Sequence, residues 1–181
     1  MSAKISETKY IMTDETKTDM GITFRRIQAT QDFGLIKKGD KGGWIEKYTN
    51  LSQENTAWVF GEARVFGEAR VFGEAWVFGE AWVFGEACVS GEACVFGEAR
   101  VFREAWVFDE ARVFGEAWVF DEACVSGKAC VFGDARVFDN AHVTTILCSR
   151  FEFISTKSVK LASKKEKEFL EPQIKRLKEV N

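Results

Sequence analysis

From Ala57 to Asn140 the chain repeats a six-residue unit, A-x-V-F-G-E, fourteen times without an insertion. Ala never varies at the first position and Val never varies at the third. Phe fills the fourth position except at Ser90 and Ser126. A short fixed period over this length cannot build a globular core, whose positions all differ. Each unit must bury its face against its neighbours in the array, which is a solenoid. A longer period is superposed, since residues 63–98 and 99–134 agree at 29 of 36 positions. Both blocks carry a Cys-Val-Ser landmark, at Cys88-Val89-Ser90 and Cys124-Val125-Ser126.

The alternation inside a hexad predicts an all-β chain. Ala and Val are two apart and share one side of a strand; the x residue and Phe share the other. Gly-Glu supplies the turn, because Gly takes a positive φ at little cost. The x positions include Arg64, Arg70, Arg100, Arg112 and Arg136. Burying unpaired guanidinium groups is prohibitive, so Ala and Val form the core and Phe, Trp, Arg and Cys lie outside.

Val59 with Ala63, Val65 with Ala69 and their repeats give an aliphatic residue followed four positions later by a small one. In this the chain resembles the hexapeptide-repeat proteins that form left-handed parallel β-helices. The resemblance implies a triangular prism with 18 residues per coil, four to five coils for fourteen hexads. Val59, Val77, Val95, Val113 and Val131 then stack in one interior column. On the outside, Arg64, Trp82, Arg100, Trp118 and Arg136 form a column alternating guanidinium and indole, suited to cation–π stacking. Phe66, Phe84, Phe102, Phe120 and Phe138 form an unbroken aromatic column beside it. Another unbroken column holds Phe60, Phe78, Phe96, Phe114 and Phe132. In the third, Phe72 and Phe108 alternate with Ser90 and Ser126, and this column is expected to be the most exposed to solvent.

The flanks complete the plan. Residues 1–56 are expected to be a small N-terminal β cap, with strands at 8–14 and 22–29 and a turn over Gly39–Trp44 leading into the first coil. Residues 57–143 are the repeat. Residues 144–181 are a strand and helix cap, the strand at 144–155 and the helix signalled by Leu170, Ile174 and Leu177 at i, i+4, i+7. The segments KYIMTDETK, FRRIQATQDFG and GDKGGWIEKYTNLSQENTAWVFGEA extend the likeness. Over about residues 8–143 the chain resembles hexapeptide-repeat proteins of phages and prophages, a group without an assigned chemistry.

Charge and composition narrow the chemistry. The net charge is -3, with a single His and 17 Phe. One His excludes sites that need several imidazoles, and an acidic chain is not a general nucleic-acid binder. No apolar run is long enough to span a membrane, and the N-terminus lacks an apolar signal core. Five Cys without an export signal suit reduced thiols in a cytoplasm, here that of a bacterial host. Cys88 and Cys124 fall on one face two coils apart, too far for a disulfide. His142 is the only candidate base for the acyltransferase chemistry of many β-helix proteins, and the repeat has no inserted loop to build an acyl-donor pocket. Glu62, Glu80, Glu98 and Glu116 line one edge, and Glu68, Glu86, Glu104 and Glu122 another.

The expectation is therefore a non-enzymatic protein-interaction module without a cofactor. It binds a host macromolecule, and inhibition of a defence system such as a CRISPR effector fits the phage resemblance. An acyltransferase and a self-assembling structural solenoid are the alternatives. The binding residues are expected to be the Arg–Trp column and the Phe66 to Phe138 column. A protein partner and a homodimer are expected, with no direct contact to nucleic acid.

Overall fold

A computed structural model describes residues 8–144 and the strands Ile146–Ser149 and Phe153–Ile154. The helix expected near residues 163–177 lies outside the described residues. The described chain is a parallel β-solenoid of about six coils with three sheets as its faces.

Each hexad contributes one short strand, x-Val in all but the longer Cys130–Gly133, and hexad strands 18 residues apart pair in parallel, while the final rungs at Ile146 and Phe153 lie 16 and 17 residues beyond their partners. The first face runs Arg64–Val65, Trp82–Val83, Arg100–Val101, Trp118–Val119, Arg136–Val137, Phe153–Ile154. The second runs from Trp58–Val59 through Trp76, Cys94 and Arg112 to Cys130–Gly133 and Ile146–Ser149. The third runs Arg70–Val71, Cys88–Val89, Trp106–Val107, Cys124–Val125, His142–Val143. The expected Val59 to Val131 column is thus the observed register, and the coil length is 18. Parallel pairing continues past the last hexad at Ile146–Ser149 and Phe153–Ile154, so the prism is taller than the hexads alone would make it.

Every Ala and Val of the hexads is buried, most of them completely. The prism interior is narrow, and only a small and a β-branched residue per hexad fit it without voids. The backbone ladder is continuous through strands and turns. Trp82 N–H donates to Ala99 O (2.9 Å), Phe84 N–H to Val101 O (3.0 Å) and Glu86 N–H to Arg103 O (2.8 Å). The turn closes on itself where Ala63 N–H donates to Phe60 O (3.1 Å).

Turn glycines meet two demands at once. Gly97 has φ +72°, and a Cβ there would lie 3.0 Å from the backbone nitrogen of Gly115 in the next coil. Arg103, Asp109, Asp121 and Asp139 hold the same position with φ between 54° and 60°, close to the left-handed well of L residues. Two of them gain contacts with the next coil: Arg103 pairs with Asp121, and Asp109 accepts from Gly127 N–H at 3.1 Å.

The N-terminal segment closes one end. Strands β1 (Tyr10–Asp19) and β2 (Ile22–Ala29) form an antiparallel hairpin, and β2 pairs with β3 (Lys41–Ile45). The expected turn over Gly39–Trp44 is therefore corrected: β3 is the first rung of the first face and pairs in parallel with Arg64–Val65. Its glycines serve close approach, not reversal. A Cβ on Gly42 would lie 2.5 Å from Ile27 Cγ1, and one on Gly43 2.6 Å from Val59 Cγ1. Leu51 supplies the first rung of the third face by bridging to Val71. Tyr10, Ile27, Ile36, Ile45 and Leu51 fill the mouth of the prism.

Lys9 is buried beside this plug and donates to Ala57 O (2.9 Å), Glu54 O (3.3 Å) and Asn55 O (3.4 Å). It satisfies carbonyls that no preceding coil can pair. Burial lowers its pKa to about 8. The expectation that all aromatic x residues lie outside needs one correction here. Trp58 is buried because Tyr10 and Phe33 pack edge-on against it, at 6.1 and 5.3 Å.

Two outcomes follow for stability. Gly97→Ala is expected to cost about 1–2 kcal/mol through positive φ and contact with the next turn. Arg103→Gly is expected to stabilise by up to about 1 kcal/mol, since relief of its backbone exceeds the worth of an exposed ion pair. Denaturant unfolding of the two variants checks both signs. A third outcome concerns pH. Between pH 8 and the unfolded lysine value near 10.4, the unfolded chain carries a proton on Lys9 that the folded chain has released, so Lys9 makes stability rise with pH. The half-buried thiols, raised by burial, act in the opposite direction. The test is accordingly a difference: from pH 7.5 to 9.5 the stability of the wild type should gain on that of Lys9→Met. An unchanged difference would show that Lys9 titrates as an ordinary lysine.

Candidate protein-binding face

The first face carries the expected alternating column, and its side chains stack. The Arg64 guanidinium lies 4.8 Å from the Trp82 ring, and Arg100 lies between Trp82 (5.3 Å) and Trp118 (5.1 Å). Arg136 lies 4.7 Å from Trp118 on the far side. Parallel strands force this arrangement, because identical hexad positions sit one above the next at about 4.8 Å. Each contact of this kind contributes about 0.5–1 kcal/mol where exposed, more where water is excluded.

The N-terminal hairpin extends the column in a way the hexads alone do not announce. Trp44 lies in register with Arg64, and Arg26 with Trp44. The Arg26 guanidinium is 4.2 Å from the Trp44 ring, and Lys17 Nζ is 5.7 Å from it. Trp44 Nε1 donates to Glu62 Oε2 at 3.2 Å, and Lys17 and Arg26 pair with the same carboxylate at 3.0 Å. Burial works to raise the Glu62 carboxyl, but these donors outweigh it and hold it below the usual carboxylate range.

The Phe column beside it is also stacked. Phe66–Phe84, Phe84–Phe102 and Phe102–Phe120 have ring centroids 4.9, 4.9 and 5.0 Å apart with planes within 4° of parallel. Phe120–Phe138 follows at 5.4 Å. Phe24 of β2 caps the lower end edge-on to Phe66 at 5.4 Å. Most of these rings are half-buried by their own ladder. The structure therefore lowers the drive for a partner below what a face of isolated phenylalanines would have.

The sequence-derived binding residues divide into two groups. Arg64 and Phe66 are used within the chain: Arg64 Nη1 bonds Asp19 Oδ2 at 2.9 Å, and Phe66 is buried against Phe24 and Trp44. Trp82, Phe84, Phe102, Trp118, Phe120 and Phe138 are half-buried, while Arg100 and Arg136 are exposed. The upper part of the face thus presents guanidinium groups over a continuous aromatic floor.

Other features lie elsewhere. The third face holds the most exposed large apolar side chains of the prism, Phe72 (41%) and Trp106 (50%). The alternating Phe–Ser column is not uniformly open, however, because Ser126 is buried. Its Oγ lies 3.3 Å from His142 Nε2, a pairing between position four of one coil and position x of the next. A hydroxyl beside an imidazole has the elements of a nucleophile and base. Among the described residues no hydrogen bond orients the other ring nitrogen, which such a pair requires to act as a unit.

Cys88 and Cys124 are separated by Trp106, and Cys94 and Cys130 by Arg112; all four are free thiols. Burial raises all four thiol pKa values, which disfavours the reactive thiolate at neutral pH.

A groove of about 700 Å³ crosses the second face between Leu35 and Ile36 of the N-terminal segment and Trp76, Phe78, Phe96 and Arg112. Neither this groove nor the Ser126–His142 contact is encoded in the repeat. The groove arises where residues 33–36, bridged Phe33 to Ile36, hang over the prism. The acidic turn residues Glu80, Glu86, Glu98, Glu104, Glu116 and Glu122 are all exposed. Among the described residues no helix is long and apolar enough to cross a membrane.

Compared with known proteins, the chain matches no family model and no curated protein sequence. The coil geometry agrees with a hexapeptide-repeat β-helix, while the likeness to phage proteins gains no support from these comparisons.

Proposed function

We propose that this chain is a non-enzymatic interaction module that grips a partner protein with the upper part of its first face. The observation that carries this reading is the guanidinium–indole ladder. Arg100 is exposed yet held between Trp82 and Trp118, so its orientation is fixed before any partner arrives. Ordering a long side chain on binding costs roughly 0.5–1.5 kcal/mol, and pre-stacking removes much of that cost. Arg and Trp are also the residues that most often dominate binding energies. The pre-stacked, solvent-facing Arg100 guanidinium favours a partner that offers a carboxylate at that point of an otherwise apolar surface.

The resemblance to phage proteins supports a more specific form of the proposal. The partner is then a macromolecule of a bacterial host, and occupation of a defence effector such as a CRISPR nuclease is the activity. A rigid chain acting by occupation needs no catalytic constellation. The same face can also meet a second copy of the chain, so self-association is measured alongside capture.

Phe102→Asp tests the face. It puts a carboxylate in the middle of the aromatic column, where loss of a central anchor costs about 2 kcal/mol or more, roughly a thirtyfold weakening. Capture of the partner from host lysate, or the mass in solution by light scattering, should fall while far-UV circular dichroism stays unchanged. A folded variant that alters neither measurement places the interface elsewhere. His142→Ala is expected to leave capture intact; its loss with an unchanged fold would favour an enzymatic role instead.

A further inference from the structure

The third face exposes Phe72 and Trp106 between Arg70 at one end and His142 at the other, and glutamates line both of its borders. Phe72 and Trp106 stand out from it, separated by the small side chains of Cys88 and Ser90. One border carries Glu68, Glu86, Glu104 and Glu122, and the other Glu74, Glu92 and Glu110; all seven are exposed. Lys47 neutralises Glu68 and Lys128 lies 3.6 Å from Glu110, leaving the greater part of both borders negative. A second copy laid on this face would bring four acidic borders together. The occupant that fits has apolar residues on one side and several cations.

The chain itself contains such a segment. Residues 155–181 hold eight Lys or Arg against four Glu, a net of +4, and include Leu161, Leu170, Ile174 and Leu177. Topology delivers it to this face. In each coil a first-face strand is followed six residues later by a third-face strand, as Arg64 by Arg70 and Arg136 by His142. The last first-face strand is Phe153–Ile154, and among the described residues the third face ends one coil earlier, at His142–Val143. The distance down the face from the His142 rung to the Arg70 rung is four steps, about 19 Å. Twenty-seven residues cover that in any conformation, since even the most compact regular one advances about 1.5 Å per residue.

We infer that residues 155–181 of this chain dock along its own third face. Their apolar side chains meet Phe72 and Trp106, and their lysines lie against the two glutamate borders. The segment thereby covers the exposed aromatics, while the first face stays free for a partner. The inference is independent of the proposed function, because it concerns a different face.

Zero-length carbodiimide cross-linking of the full-length chain tests it, read by peptide mass spectrometry. Cross-links from Lys164, Lys165, Lys167, Lys175 or Lys178 are expected at both borders of the third face, at Glu86, Glu104 or Glu122 on the one shared with the first face and at Glu92 or Glu110 on the other. They are not expected at Glu80, Glu98 or Glu116, which border the other two faces. Links to this last group, or no links from the segment at all, overturn the inference. An equal mixture of ¹⁴N- and ¹⁵N-labelled chains separates the two possible sources of the segment: links of mixed label assign the face to another copy and also overturn it. As a second measurement, Ile174→Asp combined with Leu177→Asp should raise alkylation of Cys88 and Cys124 at least fivefold and leave Cys94 and Cys130 unchanged. Equal labelling of Cys88 and Cys124 in both proteins overturns the inference without depending on cross-link yield.

Discussion

Between the hexads of the prism, each strand residue pairs with the residue 18 positions away in the neighbouring coil. That single constraint, a parallel ladder at about 4.8 Å, decides what each position can hold. Inside, the neighbour of a Val is another Val, and the fit is repeated from coil to coil. Outside, a flat ring on a flat ring is a good contact at this spacing, and the Phe columns use it. A guanidinium on a guanidinium would be a poor one, and every first-face Arg of the repeat is instead in register with a Trp. The turns obey the same rule. A turn Gly lets the backbones of successive coils approach closely, and Arg103 and Asp109 at the same position reach the next coil with their side chains.

The ends of the array are where this rule fails and other chemistry takes over. A terminal coil has no neighbour on one side, so its carbonyls and apolar interior need separate partners. At the N-terminal end these are the buried Lys9 ammonium, the side-chain amide of Asn50 bonded to Gly67 O and Ala69 O, and the aromatic and aliphatic plug around Tyr10. The hairpin adds an outermost strand, β1, whose sequence TDETKTD is dense in charge. Charged edge strands resist pairing with other chains, so the closed end is also protected from growth.

What could be read from the sequence follows the same division. The coil length, the buried Ala and Val, the Arg–Trp alternation and the separation of the thiols all derive from the period, and periodicity is visible in a single chain. The role of Gly42 and Gly43 was not visible, because a glycine selected for close approach looks the same as one selected for a turn. Nor was the burial of Trp58 and Phe66 or the pairing of Arg64 with Asp19, which depend on where a non-repeating segment folds back. The Ser126–His142 contact joins different hexad positions of successive coils and therefore has no signature within a hexad. The open groove on the second face has the same origin as the burial of Trp58, since both lie under residues 33–36.

The alternation of Arg with Trp has a consequence for how the chain finds its register during folding. In the interior, a strand displaced by one whole coil would meet the same Val and Ala, so the core alone cannot tell the correct neighbour from the next. The outer column of the first face can. Its period is two coils, and a slip of one coil would set Arg100 against Arg64 or Arg136 and Trp82 against Trp118. The column therefore acts as a parity check written on the outside of the molecule. It rejects odd slips by charge repulsion and lost stacking, and it leaves even slips to be excluded by the N-terminal plug, which fits only one rung.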